Sequence, residues 1–408
     1  MATGLEGRRS APSRRRTRRP DNGRGEGATP RDGAAAAIDA ATDGAWPAGD
    51  WQAGEGQAGE TATAAPGPIT AVNSVPGPEP LDAGDVLAAL DLGTNNCRLL
   101  VARPAGDGFR VIDAFSRIVR LGQGLGASGT LAEDAIRRTI EALTVCAGKM
   151  RRRRVTRFRA VATEACRSAG NGAAFLDRVA DETGLRLEII GAEEEAALAL
   201  AGCRPLLDPR IPGALVFDIG GGSTEVAWQW QGSGGQGSGG QGAGGQEVAA
   251  LSMPIGVVTL AERHGGDRYA PAVYEAMIAE VAARLSEFER RHAIAAAAAL
   301  GAVQLIGTSG TVTTLAGIRL DLPRYNRDRV DGVYLEVADT LAIGRRLAAM
   351  DFAGRAAHPC IGVDRADLVV AGCAILEAIC RLWPVPRLRV ADRGVREGIL
   401  FGLLARQR

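Results

Sequence analysis

The sequence predicts two α/β domains whose mixed, mostly parallel sheets face a central cleft. Short apolar strands alternate with helical patterns from Val86 onward, and one strand–turn–strand unit occurs twice. The two copies are residues 87–101 (LAALDLGTNNCRLLV) and 214–228 (ALVFDIGGGSTEVAW). In each, an apolar strand runs into Asp, an apolar residue and Gly; a polar turn follows, and a second apolar strand leads away. Two such units imply two similar domains with one turn from each lining the gap between them.

The elements follow in order. Residues 1–85 are Gly, Ala, Pro, Thr and charge without apolar periodicity, and they bury too little to offset the entropy of ordering. They are expected to form a disordered tail whose arginines (Arg8, Arg9, Arg14, Arg15, Arg16, Arg18 and Arg19) are solvated. The first domain is expected at 86–209 and the second at 210–408, with the C-terminal helix free to pack back on the first. Helical periodicity marks 131–150, 172–183, 194–203, 270–299, 340–350 and 365–382. Strand-like runs mark 158–162, 187–190, 214–217, 303–306 and 388–390. Between two further strand-like runs, residues 231–246 repeat Gly-Gly-Gln and Gly-Ser-Gly and are expected to be a flexible hairpin loop.

With 408 residues, 46% of them hydrophobic and 23% charged, the chain can bury a sizeable core. The seven cysteines are scattered without a C-x-x-C pair, which fits reduced thiols and a cytoplasmic protein better than a disulfide framework or zinc site. No two of the three histidines have metal-ligand spacing. No apolar run is long enough to span a bilayer, so no membrane partner is expected. Aromatic residues are only 4%, which argues against a stacking platform for nucleic acid.

The chemistry concentrates in the repeated turns. In the second, Gly220-Gly221-Gly222 let the chain turn tightly and bring backbone amides close to an anion, and Ser223 and Thr224 add hydroxyl donors. Asp218 and Glu225 bracket that turn with carboxylates suited to a Mg²⁺ that keeps most of its waters and bridges to phosphate oxygens. A plain hairpin would use similar glycines. The matching first turn, Asp91-Leu92-Gly93-Thr94-Asn95-Asn96, strengthens the phosphate reading. Gly307-Thr308-Ser309-Gly310-Thr311 lies between a strand and a helix, where amides aim at an anion, although a hydroxyl-capped loop explains the pattern as well. Glu193-Glu194-Glu195 opens a helix, where acidic residues complement the dipole; a base role requires one of them to face the cleft. Arg98, Arg167, Arg365 and Arg396 stand beside these segments and suit phosphate oxygens.

Together these segments resemble the bacterial exopolyphosphatase and guanosine pentaphosphate phosphohydrolase family (Ppx/GppA), within the actin, sugar-kinase and Hsp70 superfamily. The likeness extends through ATEACRSAGNGAAFL at 162–176, LEIIGAEEEAAL at 187–198, SMPIGVVTLAER at 252–263, GTSGTVTTLAG at 307–317, DRADLVVAGCAILEAI at 364–379 and ADRGVREGIL at 391–400. It implies two actin-like (ribonuclease H-like) domains and a Mg²⁺-dependent phosphohydrolase. The implied substrate is inorganic polyphosphate or guanosine pentaphosphate, and homodimers are common in that family. It implies Glu195 as base with Glu194 beside it, and Asp218 and Glu225 as metal ligands with Asp91 as a third. Phosphates would lie against Gly93, Thr94, Asn95, Asn96, Gly220, Gly221, Gly222, Ser223, Thr224, Gly310 and Thr311, with Arg98 and Arg365 as further ligands. Gly191-Ala192 replace the family's usual Ser-Gly, and Ala197 replaces an arginine, so one phosphate contact is expected to be missing. The chain stops soon after Arg396-Glu397-Gly398, without the extra helical domains expected of long members.

Overall fold

The computed structural model describes residues 72–73, 84–231, 247–265 and 268–405, which fall within one compact unit, Thr63–Arg408. The expected tail, apart from residues 72–73 and 84–85, and the expected Gly/Gln loop, apart from Gln231, lie outside the described residues.

The first sheet contains β1 (Val72–Asn73), β2 (Leu87–Leu92), β3 (Asn96–Ala105), β4 (Gly108–Ile118), β5 (Arg157–Ala162) and β6 (Glu188–Ile189), in the order β1-β5-β2-β3-β4 with β6 also on β5. β5 pairs in parallel with β1, β2 and β6, and β2-β3-β4 is an antiparallel meander. The second contains β7 (Gly213–Ile219), β8 (Thr224–Trp230), β9 (Glu247–Met253), β10 (Val303–Thr308), β11 (Tyr334–Glu336) and β12 (Arg387–Ala391), in the order β11-β12-β10-β7-β8-β9. There, β10 runs parallel to both β7 and β12, and the remaining pairs are antiparallel. Parallel and antiparallel pairings are therefore balanced. The repeated unit of the sequence is β2-turn-β3 in one sheet and β7-turn-β8 in the other.

Several elements differ from the sequence expectation, among them the following. β1 forms inside the expected tail, because β5 has a free edge and two residues of backbone pairing need no apolar pattern. β4 was hidden because Arg110, Asp113, Ser116 and Arg117 interrupt its apolar residues. As an edge strand it is only half-buried, and Asp113 accepts from Lys149 Nζ at 2.7 Å and Arg153 Nε at 2.8 Å. The helix expected at 270–299 is two, Pro271–His292 and Ile294–Ala299, broken where Ala293 takes φ 50°. The helix expected from 365 starts at Val369, which leaves Arg365 in the preceding turn.

Strand periodicity sets the faces. On β2, Ala88, Leu90 and Leu92 face the first domain's core, beneath the Glu133–Arg152 helix, while Leu87 and Ala89 face the opposite side. On β7, Leu215, Phe217 and Ile219 face the larger core of the second domain, and Val216 faces away from it. Asp91 and Asp218 therefore both belong to the faces turned away from the two main cores. Those faces are covered by two crossing helices. Ala192–Cys203 lays Leu200 and Cys203 on Val216 and Ala227, and Val395–Ala405 lays Val395, Ile399 and Leu403 on Leu87 and Ala89. Thus the last helix of the first half packs on the second sheet, and the C-terminal helix packs on the first. The two helices meet at glycines: a Cβ on Gly398 would lie 2.0 Å from Leu198 O, and one on Gly202 would lie 2.1 Å from Gly394 O.

Candidate active site

The two turns are built alike. Gly93 N donates to Asn96 O at 2.9 Å, and Gly220 N donates to Ser223 O at 3.0 Å, so each closes with the same hydrogen bond. In register, Asp91 stands opposite Arg98 on β3, and Asp218 stands opposite Glu225 on β8. The backbone repeat is thus symmetric while the chemistry is not: one turn pairs its aspartate with a cation, the other with a second carboxylate.

The turns also touch each other. A Cβ on Gly221 would lie 3.0 Å from both Thr94 Cβ and Asn95 Cβ, and one on Gly222 would lie 2.5 Å from Thr94 Oγ1. Only glycine allows this approach of the two domains. Asn95 Oδ1 is buried without a hydrogen-bond partner beside this junction.

A single cavity of about 110 Å³ runs between the sheets. Its wall includes Asp91, Gly93, Thr94, Asn95, Asn96 and Arg98 from the first domain, and Asp218, Gly220, Gly221, Gly222, Ser223 and Glu225 from the second. Glu195, Gly310, Thr311 and Arg365 complete the sequence-derived set on that wall. Two expected residues are not brought there. Thr224 turns its hydroxyl inward to donate to Ile255 O at 2.6 Å, because it alternates with Glu225 along β8. Glu194, one position round the helix from Glu195, faces outward and accepts from Arg159 Nη2 at 2.6 Å.

Glu195 is buried, 8% exposed, in the first turn of the Ala192–Cys203 helix. Burial, with Glu225 and then Asp91 nearby, pushes its carboxyl up to about 9, and the Arg167 guanidinium opposes this. Arg167 Nη1 and Nη2 both reach Glu195 Oε2 at 3.4 Å. Arg167 is itself held by Ile190 O at 2.7 Å and Glu164 Oε2 at 2.6 Å. Glu225, 2% exposed, is pushed up to about 7 by burial and by Asp218; the Ser223 hydroxyl and Ser252 Oγ, which donates at 2.8 Å, oppose the shift. Burial raises Asp91 to about 6 against the pull of Arg98 and Arg396. Asp218 is raised by burial and held back by Ser309, whose hydroxyl donates to Asp218 Oδ1. Four carboxylates with raised affinity for a proton make this wall a place that favours cations.

The same wall also carries two arginines, Arg98 and Arg365. Burial, with Arg98 close by, lowers the pKa of Arg365, whose Nη1 reaches only Thr314 Oγ1 at 3.5 Å. Neither Arg98 nor Arg365 has a carboxylate within ion-pair distance among the described residues. Two guanidinium groups left in this way match a chain of phosphates.

Comparison with known proteins shows the family. Residues 100–407 match the Ppx/GppA phosphatase family. The chain belongs to that family. It is 32% identical over 333 residues to exopolyphosphatase 2 of Mycobacterium tuberculosis, covering 78% of this chain and 98% of the relative. It is 28% identical to a guanosine-5'-triphosphate,3'-diphosphate pyrophosphatase of Photobacterium profundum, covering 79% of this chain and 60% of that relative. The Ppx/GppA family member of Aquifex aeolicus superposes with a TM-score of 0.64 at 27% identity, over 79% of this chain and 99% of the other. The actin-like fold of the two domains accords with that superposition.

Sequence reasoning placed Ser309 only as part of an anion-facing turn, and it missed Thr163 and Thr314 on the cavity wall and the contact of Arg167 with Glu195. Ser309 was legible in principle as the hydroxyl directly after β10. Its φ of 73°, which turns its side chain onto Asp218, was not.

Proposed function

We propose that this protein is a phosphoanhydride hydrolase that removes the terminal phosphate from inorganic polyphosphate by base-assisted attack of water. The observation that carries the reading is that both glycine turns, Arg98, Arg365 and Glu195 line one cavity. Amides of the turns other than those of Gly93 and Gly220, which close the turns themselves, bind the terminal phosphate oxygens, and Arg98 and Arg365 take the next phosphates of the chain. Glu195 accepts the proton of the attacking water, oriented by Arg167. Its raised pKa makes it a strong base once it has lost its own proton.

The donor set fits Mg²⁺. No three acidic, histidine or cysteine side chains converge into a ready cage among the described residues, but Mg²⁺ needs only one or two carboxylates with waters and phosphate oxygens. Asp218 and Glu225 would hold it with Asp91 at hand, and bound there it would offset charge on the phosphate oxygens. Ser309 and Ser252 orient those two carboxylates.

The near-full coverage of a relative named exopolyphosphatase supports polyphosphate as the substrate. Guanosine pentaphosphate is the second reading, supported by likeness to a relative named for it. All seven cysteines are buried and unpaired, which supports a reducing, cytoplasmic setting; no helix among the described residues is long and apolar enough to cross a membrane.

Phosphate release from long-chain polyphosphate and from guanosine pentaphosphate, measured with Mg²⁺, tests the reading. Polyphosphate is expected to be cleaved with the higher kcat/KM, and Glu195→Gln is expected to lower kcat by about 10²–10⁴-fold. Full activity in Glu195→Gln would remove Glu195 from the mechanism. Tight binding with no phosphate release would leave a binding protein instead of an enzyme.

A further inference from the structure

The segment after β4, residues 119–124, carries no role in the mechanism above, yet it bonds to both halves of the site. On one side it holds the first turn: Val119 N and Arg120 N both donate to Asn95 O, at 2.9 and 3.1 Å, and Gly122 N donates to Thr94 O at 2.9 Å. On the other side it crosses to the second domain. Arg120 Nη1 and Nη2 donate to the two oxygens of Asp367 at 2.8 and 3.2 Å, and Nη2 also donates to Asp364 O at 3.0 Å. Gly124 N donates to Glu262 Oε1 at 2.8 Å.

The partners across the gap are those that carry the other half of the site. Asp364 and Asp367 bracket Arg365. Glu262 belongs to the Val257–His264 helix, whose first amides hold the second turn: Val257 N donates to Gly220 O at 2.9 Å and Val258 N to Gly221 O at 2.8 Å. The segment is therefore hydrogen-bonded to the first turn, to the helix that holds the second turn, and to the residues flanking Arg365.

Two further features mark Arg120. Its φ is 49°, a left-handed conformation that is costly for a residue with a side chain and persists where the surroundings over-determine it. The clasp also borders a cavity of about 180 Å³ lined by Arg120, Glu262, Tyr269 and Asp367, and Arg120 and Asp367 keep 29% and 38% of their side chains exposed. It is thus a partly exposed contact that can open without breaking a core.

We propose that Arg120 is a positioning residue: by clasping Asp364 and Asp367 it sets the spacing of the two glycine turns and holds Arg365 over the cleft. This rests on the reading of the cleft as a phosphate-chain site. Arg120 itself touches no reacting atom. Its loss widens the grip on the chain and leaves Glu195 and Arg167, which lie on other elements, in place. The defect therefore falls on KM more than on kcat.

The test compares wild type, Arg120→Ala, Asp367→Ala, the double variant and Arg120→Lys on long-chain polyphosphate with Mg²⁺. Each alanine variant is expected to raise KM about tenfold with kcat within about threefold. The double variant is expected to be no worse than the weaker single one, because both remove one contact. Arg120→Lys is expected to recover part of the loss, since it keeps the charge but not the bidentate geometry. Calorimetric binding of a short polyphosphate, with each change placed on Glu195→Gln, is expected to give the same ranking without turnover. If Arg120→Ala does not fold, Asp367→Asn carries the comparison. Unchanged KM and binding in both single variants, or losses that multiply in the double variant, would overturn the clasp while leaving the hydrolase reading intact. A wild type that neither binds nor cleaves polyphosphate would overturn both.

Discussion

Gly222→Ala asks how much of the activity depends on the two turns touching. The added Cβ would sit 2.5 Å from Thr94 Oγ1, 3.1 Å from Glu164 Cγ and 3.3 Å from Thr94 Cβ. Ordinary contact with the hydroxyl requires the turns to separate by about 1 Å. Glu164 can yield, being a long side chain, but Thr94 cannot: its backbone O is bonded to Gly122 N, and Gly122 has Thr94 Cγ2 where its own Cβ would be, at 2.3 Å. The strain is therefore expected to spread the two domains. A displacement of about 1 Å at reacting groups costs on the order of 10²-fold in rate, or about 2.7 kcal/mol of transition-state stabilisation. The expected result is a fall in kcat/KM of that size in a phosphate-release assay, with a thermal midpoint close to wild type because each domain core is untouched. Gly191→Ala, where a Cβ meets nothing within 4 Å, provides the comparison and is expected to stay near wild type. A Gly222→Ala enzyme with kcat/KM within threefold of wild type would refute the reasoning, since the turns would not then need to meet.

Three other outcomes are expected. Arg167→Ala removes a cation that restrains the upward shift of Glu195, so the acid limb of the kcat–pH profile should move to higher pH; an unmoved limb would mean that Arg167 does not act on the base. In metal-free protein, Asp91, Glu225 and Glu195 are raised to about 6, 7 and 9, so the folded state binds their protons more tightly than the unfolded chain. Their contribution is fully present below the ordinary carboxylate range and is lost as pH rises through those values. The melting temperature in chelator should thus fall between pH 5 and 9, and Mg²⁺ should reduce the fall; a flat or rising curve would contradict the burial of these acids. Gly398→Ala places a Cβ 2.0 Å from Leu198 O, where only backbone can give way, and should destabilise by about 1–3 kcal/mol in denaturant unfolding; a neutral effect would show that the crossing helices are loosely packed.

The sequence by itself determined a good deal. The period-2 strands ending in Asp-x-Gly carry their own local physics: the alternation that buries Leu90 and Leu92 puts Asp91 on the other face, and the same holds for Phe217, Ile219 and Asp218. The turn residues and their internal repeat could be read for the same reason, because a tight anion-binding turn is specified by neighbours in the chain. What lies far apart in sequence was decided by tertiary structure. That Glu195 lines the cavity while Glu194 does not depends on which side of a helix meets the second sheet, and periodicity in an Ala-rich helix marks no single face. The swap of Ala192–Cys203 and Val395–Ala405 between sheets depends on glycines that permit close crossing, which no local pattern encodes. The contact of Arg167 with Glu195, of Ser309 with Asp218 and of Arg120 with Asp367 joins residues 28, 91 and 247 positions apart. Such pairs form only once the elements are packed, because charge and hydroxyl groups can meet in many ways along a chain and packing selects one.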